Sequence, residues 1–399
     1  MELAADNLKT GSTDFPYEKP VDADSVDMDL DLLKSVSNVF VKQQQLGAFP
    51  GGQLVVRRFG KVVLSINCGL ARGWQRRGGY REAVCENTPF AVFSAGKPAA
   101  AMIIALLESL GLLDPSTPLS HFFPELKRNG RQHLSLLDVL QHRAGLHLPN
   151  ILQTPEILND ANALWHLLIQ TPPRYRNGSL AYLPVEYGII IDRLLKVMFG
   201  KNCASFLESE FTQPLGLPNF RYGLGPHRLQ NIAWNYWLGS KHYRINGMDI
   251  GEQFETLFNA GYLFSSTNPS MSMCTDAANL AAFYEFLVNG GTSNSGHRII
   301  DPAMIARYTR RQTAGWDRTI NTYLALGRGF YVGTRFPSLY DWHNNESCFG
   351  HAGMFSSFAY ADHNSGLAAA IVSNGHKSKW DFFRRITALT YRLQYACRH

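Results

Sequence analysis

The stretch on which the reading of this chain turns is "FSAGKPAAAMIIALLESLGLL", Phe93 to Leu113. Ser94 and Lys97 stand at i and i+3 at the head of a long apolar run. On a helix such residues share a face, so the lysine amine can reach the serine hydroxyl. Proline is tolerated in a first helical turn but not in the interior, so Pro98 sets the start of regular helix close to Ser94. A hydroxyl there lies at the positive end of the helix dipole, a favourable place for an oxyanion. Serine is a poor nucleophile at its ordinary pKa, and lysine serves as its base only when burial or a neighbouring charge lowers the amine's own pKa. The plain alternative is a polar helix start without chemistry, since a chain of this length holds about one such spacing by chance.

The rest of the composition narrows the field. With 399 residues and 45% hydrophobic content the chain can bury a substantial core. The net charge of +6 comes from scattered basic residues, including the pairs Arg57-Arg58 and Arg310-Arg311, and does not point to nucleic acid. The first residues lack a basic segment followed by an apolar one, and no run of about 18 uncharged apolar residues exists, so the expectation is a cytoplasmic protein without a membrane span. Cys68, Cys85, Cys203, Cys274, Cys348 and Cys397 form no CxxC pair, which argues against a zinc or redox motif and for reduced thiols. No metal or cofactor is expected.

Along the chain, residues 1–28 have the composition of a loosely ordered arm. A helical period follows in "DLDLLKSVSNVFVKQQQLG", then two β-rich runs around Phe59-Gly60 predict a hairpin. Helices are predicted at 97–112, 134–142, 158–170, 186–199, 201–211 and 275–289. Near the end, "SSFAYADHNSGLAAAIVSN" holds two strand-like runs about a turn-rich connector, before an amphipathic closing helix. The pattern predicts an α/β domain over 29–93 and 295–399, built from both termini, with a mainly helical domain over 94–294 and an active site in the cleft between them.

Three landmarks, in order, resemble the serine β-lactamase and penicillin-binding-protein superfamily, in particular its class C-like branch with the family VIII esterases and related acyltransferases. They are Ser94-Ala95-Gly96-Lys97; "LAYLPVEYGIIIDRLLKVMFG", which is similar to the family's YxN segment with Tyr182 in the tyrosine place; and "FGHAGMFSSFAYADHNSGLAAAIVSNG", similar to its KTG strand with His351-Ala352-Gly353 at the triplet. The resemblance spans residues of about 30–395. It implies a β-lactamase/transpeptidase-like fold, an antiparallel sheet flanked by helices, and acyl transfer through a covalent acyl-enzyme. By the same resemblance Ser94 is the nucleophile, Lys97 assists its deprotonation, Tyr182 shuttles the proton to the leaving group, and the N–H groups of Ser94 and Met354 form the oxyanion hole.

Two residues depart from the family pattern. His351 stands where lactamases and peptidases carry a carboxylate-holding lysine, and histidine is mostly neutral at pH 7. Pro184 replaces the asparagine of YxN and supplies no side-chain amide. Both favour a small ester or thioester over a peptidoglycan or β-lactam substrate. Gly353 is expected to leave room for substrate along its strand, and Trp234, Tyr236 and Trp237 of "WNYWLG", with Tyr243, to line a pocket for an apolar group. Hydrolysis, transfer to another acceptor or an acyl carrier, amide-bond chemistry in small-molecule biosynthesis, β-lactamase or D-aminopeptidase-like activity, and a catalytically inactive ligand-binding homologue all stay open. His351 as the base of a Ser-His-Asp triad is the rival mechanism, although no GxSxG elbow surrounds any serine. His142 and His147 are assigned to a structural turn, and Asp276 to a helix cap.

Overall fold

The computed structural model describes residues 14–74, 80–127, 130–148, 151, 154–245, 248–342, 345–354 and 356–397. Three strands of the large sheet precede the helical middle of the chain, β1 (Gly51–Arg58), β2 (Lys61–Arg72) and β3 (Glu82–Ala83). Six follow it: β4 (Thr313–Asp317), β5 (Thr322–Leu326), β6 (Tyr331–Val332), β7 (Cys348–Gly353), β8 (Ser357–Asp362) and β9 (Leu367–Ser373). Together they form a nine-stranded antiparallel sheet in the order β4-β5-β6-β7-β8-β9-β1-β2-β3. The seam between the chain's two halves is the β1–β9 pair, in register from Gly52 opposite Ser373 to Arg58 opposite Leu367. The sheet is therefore assembled from both ends of the chain, as the strand-like runs predicted.

Alternation along the central strands sends large side chains to one face and small ones to the other. Leu54 and Val56 of β1, Phe358 and Tyr360 of β8, and Ala369 and Ile371 of β9 enter one core. It is covered by the first and last helices, α1 (Leu30–Gln45) and α5 (Lys379–Ala396), which pack on each other. The opposite face presents Ala359, Ala361, Ala368 and Ala370 to the main core. Small side chains there let a helix approach closely, and α4 (Ala277–Val288), itself carrying Ala277, Ala278, Ala281 and Ala282, lies across β1, β8 and β9. Two further helices matter to the site, α2 (Lys97–Ser109) and α3 (Glu186–Phe199); α3 has the bounds that the sequence predicted.

Several predicted helices are shorter or broken. Helix 158–170 is split where the Asp160 side chain accepts from the N–H groups of Asn162 and Ala163, starting a new helix at Ala161. Helix 201–211 is a short α-helix, Cys203–Leu207, running into a π turn. Helix 97–112 ends at Ser109, where Gly111 takes φ +69°.

Of the arm expected to be loosely ordered, residues 1–13 lie outside the described residues, and residues 14–28 are docked. Glu18 pairs with Arg57 at 2.7 Å, the Val21 N–H donates to Val62 O at 2.9 Å, and the Tyr17 hydroxyl donates to Asp276 at 2.8 Å. Polar composition concealed this because the anchors are polar groups meeting buried polar partners. Arg57, read as part of a scattered charge, is fully buried and also holds Glu285 of α4 at 2.6 Å. Removing one partner of a buried pair strands the other charge, so Glu285→Ala is expected to cost about 3 kcal/mol. Chemical denaturation would check this, and a loss below about 1 kcal/mol would show that Glu18 alone suffices.

Candidate active site

Ser94 lies in a 3-10 turn, Phe93–Gly96, that feeds directly into α2. Phe93 just before it has φ +48°, a left-handed conformation that is costly for a bulky residue and frequent at functional sites. The turn is wedged in place from behind. A Cβ on Gly96 would meet the Met273 Cβ at 2.4 Å, so a larger residue could not sit under Ser94. Pro98 occupies the first turn of α2, and the helix is buried from Lys97 through Leu107.

Lys97 is completely buried. Its amine donates to Ser94 Oγ, to Pro184 O and to Ser270 O, each at 3.1 Å, while Ser94 Oγ itself donates to Ser270 O at 3.3 Å. Burial penalises the ammonium form and brings the lysine down to about 7, the nearby Glu186 carboxylate pulling the other way. The amine is thus divided between acid and base forms at neutral pH. Pro184 lacks the amide side chain of YxN, yet its main-chain carbonyl still gives the lysine an acceptor.

Tyr182 is buried beside this pair, its ring centroid 5.0 Å from Lys97 Nζ. Asp317 anchors its backbone by accepting from the Tyr182 N–H at 2.7 Å, and caps the β4–β5 turn by accepting from Thr319 and Ile320 N–H. His142 packs on the Tyr182 ring with centroids 4.3 Å apart and planes tilted by 38°, and its Nδ1 accepts from Leu183 N–H at 3.1 Å. His142 therefore belongs to the scaffold of the tyrosine. Burial pushes the Tyr182 phenol upward; contacts with the hydroxyls of Ser94 and Tyr331 oppose it without reversing it. It is a neutral phenol at pH 7.

His351 reaches the site from β7 and stacks on Tyr331 at 4.1 Å. Its Nδ1 donates to Ala352 O at 2.7 Å, which leaves Nε2 as a lone pair, buried and without a hydrogen-bond partner among the described residues. Burial, with Lys97 nearby, lowers it to about 3. An imidazole tied to a main-chain carbonyl, with no carboxylate behind it, lacks the third member that a Ser-His-Asp triad requires.

The end of β7 is brought against the turn that carries Ser94 by Ser357, whose hydroxyl donates to Val92 O at 3.0 Å and which pairs with Gly353, the residue before Met354. A Cβ on Gly353 would lie 1.9 Å from Val92 O, so the space this glycine provides is taken up by the chain's own backbone and not left for substrate. Met354 has φ +35°. The aromatic segment is divided. Trp237 packs on Phe254 at 4.8 Å and Tyr243 at 5.0 Å, in the core behind Phe93. Tyr236 meets Trp74 at 5.7 Å, and Trp234 is exposed.

Sequence reasoning missed Ser270 O, Glu186, Asp317 and His376. Glu186 opens α3 with a buried carboxylate that accepts from Leu148 N–H at 2.5 Å and Val185 N–H at 3.2 Å. An acidic first residue of a helix was its only visible sign. Among the described residues no three His, Cys, Asp or Glu side chains converge as a metal site, and no helix is long and apolar enough to cross a membrane.

The chain is 26% identical over 349 residues to the esterase/beta-lactamase LipL of Mycobacterium tuberculosis, covering 82% of this chain and 77% of that protein. A penicillin-binding protein homolog from Caulobacter crescentus superposes with a TM-score of 0.78 at 25% identity, over 92% of this chain and 98% of the other. A family VIII carboxylesterase superposes with a TM-score of 0.75 at 22% identity, over 93% and 99%. The fold is thus the β-lactamase/transpeptidase-like one, and since residues 36–393 match the family described as Beta-lactamase, the chain belongs to the beta-lactamase family.

Proposed function

We propose that this chain is a serine acyl-transfer enzyme that takes a small, uncharged ester or thioester and carries its acyl group on Ser94. The observation that carries the reading is the 3.1 Å contact between Ser94 Oγ and a fully buried lysine amine whose pKa lies near 7. A base matched to neutral pH, in reach of the proton it must take, is what activation of a serine requires. Lys97 in its amine form accepts the hydroxyl proton as Oγ bonds to the acyl carbon. The resulting oxyanion is held by the N–H groups of Ser94 and Met354. Tyr182, a phenol, hands a proton to the departing alkoxide or thiolate as the acyl–oxygen or acyl–sulfur bond breaks, and Lys97 restores it. Water or a second alcohol or amine then repeats the sequence in reverse and frees Ser94.

His351 favours the uncharged substrate class. Its neutral ring offers a lone pair in the position where a cation would hold a carboxylate, so an anionic group is repelled and a hydroxyl or N–H donor is welcomed. A neutral p-nitrophenyl ester is expected to react at least tenfold faster, in kcat/KM, than a carboxylate-bearing cephalosporin. The reverse order would overturn the assignment of His351. The reaction class itself is tested with a fluorophosphonate: wild-type protein should gain one adduct, and peptide mapping should put it on Ser94. Absence of an adduct would sink the proposal.

A further inference from the structure

His376 lies outside every landmark of the catalytic motifs, yet its ring is fully buried and touches the loop that carries Met354. Its Nδ1 donates to Met354 O at 2.6 Å, and its Nε2 lies 3.0 Å from Asn235 Oδ1. The ring is walled by Phe254 at 4.9 Å and Phe93 at 5.8 Å. Asn235 is itself held rigidly: its N–H donates to Asn259 Oδ1 at 2.7 Å, and Asn259 Nδ2 returns a bond to Asn235 O at 2.8 Å. The histidine follows the end of β9 and pairs with Trp237 in a short parallel bridge. The ring is thus packed between the rigid Asn235–Asn259 pair on one side and the Met354 carbonyl on the other.

We propose that His376 is a positioning residue of the acyl-transfer site: it clamps the Met354 carbonyl and so holds that residue in the conformation that aims its N–H at the developing oxyanion. A non-glycine residue at φ +35° relaxes unless its surroundings over-determine it, and a 2.6 Å bond on its carbonyl is such a constraint. The two ring nitrogens have different tasks. Burial keeps the ring neutral, so it has one proton, and the main-chain carbonyl, which has no donor form, claims it at Nδ1. Nε2, left as a lone pair, faces the acceptor Asn235 Oδ1 at 3.0 Å, so Asn235 confines the ring by packing and not by a hydrogen bond. This inference rests on the acyl-transfer reading above.

The two tasks separate in a pair of variants, because an asparagine amide reaches about as far as Nδ1 and a glutamine amide about as far as Nε2. His376→Asn is expected to keep kcat/KM for p-nitrophenyl acetate within about threefold of wild type. His376→Gln is expected to lower it on the order of 10-fold to 100-fold, a fraction of what losing an oxyanion donor costs. The loss should fall in kcat with KM unchanged, and fluorophosphonate labelling should slow in parallel. Equal rates for the two variants, at equal thermal midpoints, would overturn the clamp while leaving the acyl-transfer reading intact. An unlabelled wild type would overturn both. If the glutamine variant does not fold, Asn235→Ala decides: it opens space beside Nε2, lets the ring turn away from Met354 O and should slow labelling several-fold, and an unchanged rate overturns the clamp.

Discussion

Ser94→Ala is expected to reduce turnover of an activated ester by roughly 10⁴-fold or more, with a thermal midpoint close to that of wild type. The hydroxyl stands 3.1 Å from the Lys97 amine, in a turn fixed by Gly96 against Met273, so its removal takes the proposed nucleophile and leaves the rest of the site in place. What persists is the modest acceleration that binding and oxyanion donors give a direct attack by water. The stability cost is small because the lost bonds are the 3.3 Å donation to Ser270 O and one partner of Lys97, on the order of 1 kcal/mol each. Steady-state hydrolysis of p-nitrophenyl acetate, with differential scanning calorimetry on the same samples, checks both halves. A fall below tenfold would mean that the ester is cleaved elsewhere on the molecule.

Lys97→Met is expected to lower kcat/KM by roughly 10³-fold and to abolish the acid limb of the pH profile. In the wild type, acylation should rise with pH through about 7 as the ammonium gives up its proton and becomes able to take the one on Ser94. The same shift has a signature in stability. In the unfolded chain the amine titrates near ~10.4, and in the folded chain near 7, so between those values the unfolded state binds the proton that the native state has shed. Stability contributed by this site therefore increases as pH rises from 7 toward ~10, and the cost of burying the charge is borne in full below 7. The thermal midpoint of the wild type relative to Lys97→Met should accordingly climb across that window. A difference that stays flat with pH would show an ordinary lysine and would remove the base from the proposed mechanism.

The proposed catalytic pair was legible because it is local. Ser94 and Lys97 are one helical turn apart, Pro98 fixes where that turn starts, and no distant residue is needed to bring them together. The same holds for α3, which ends at a Gly200 in the left-handed conformation, and for the hairpin turns at Phe59-Gly60 and at Gly366, with φ values of 50°, 80° and 69°. Strand runs at both ends of the chain were also readable, since an apolar stretch such as "GLAAAIVSN" has to be buried on two faces. The role of Arg57 could not be read from its place among the scattered basic residues, because burial of a guanidinium depends on Glu18 and Glu285, 39 and 228 residues away.

What surrounds the pair could not be read in the same way. That Pro184 offers its carbonyl where a side-chain amide was missing, that Ser270 O closes the lysine's coordination, and that Gly353 yields its space to Val92 are all main-chain facts, and main-chain atoms carry no residue-specific signal. The protonation states are likewise collective. Lys97 near 7, His351 near 3 and Tyr182 as a phenol all follow chiefly from desolvation, which exists only once several segments have closed over each group. The sequence by itself thus determined which atoms the proposed chemistry uses, because Ser94 and Lys97 lie one turn apart at the head of α2. Only the tertiary structure decided how those atoms are charged and aimed, because burial and backbone direction are properties of the packed chain.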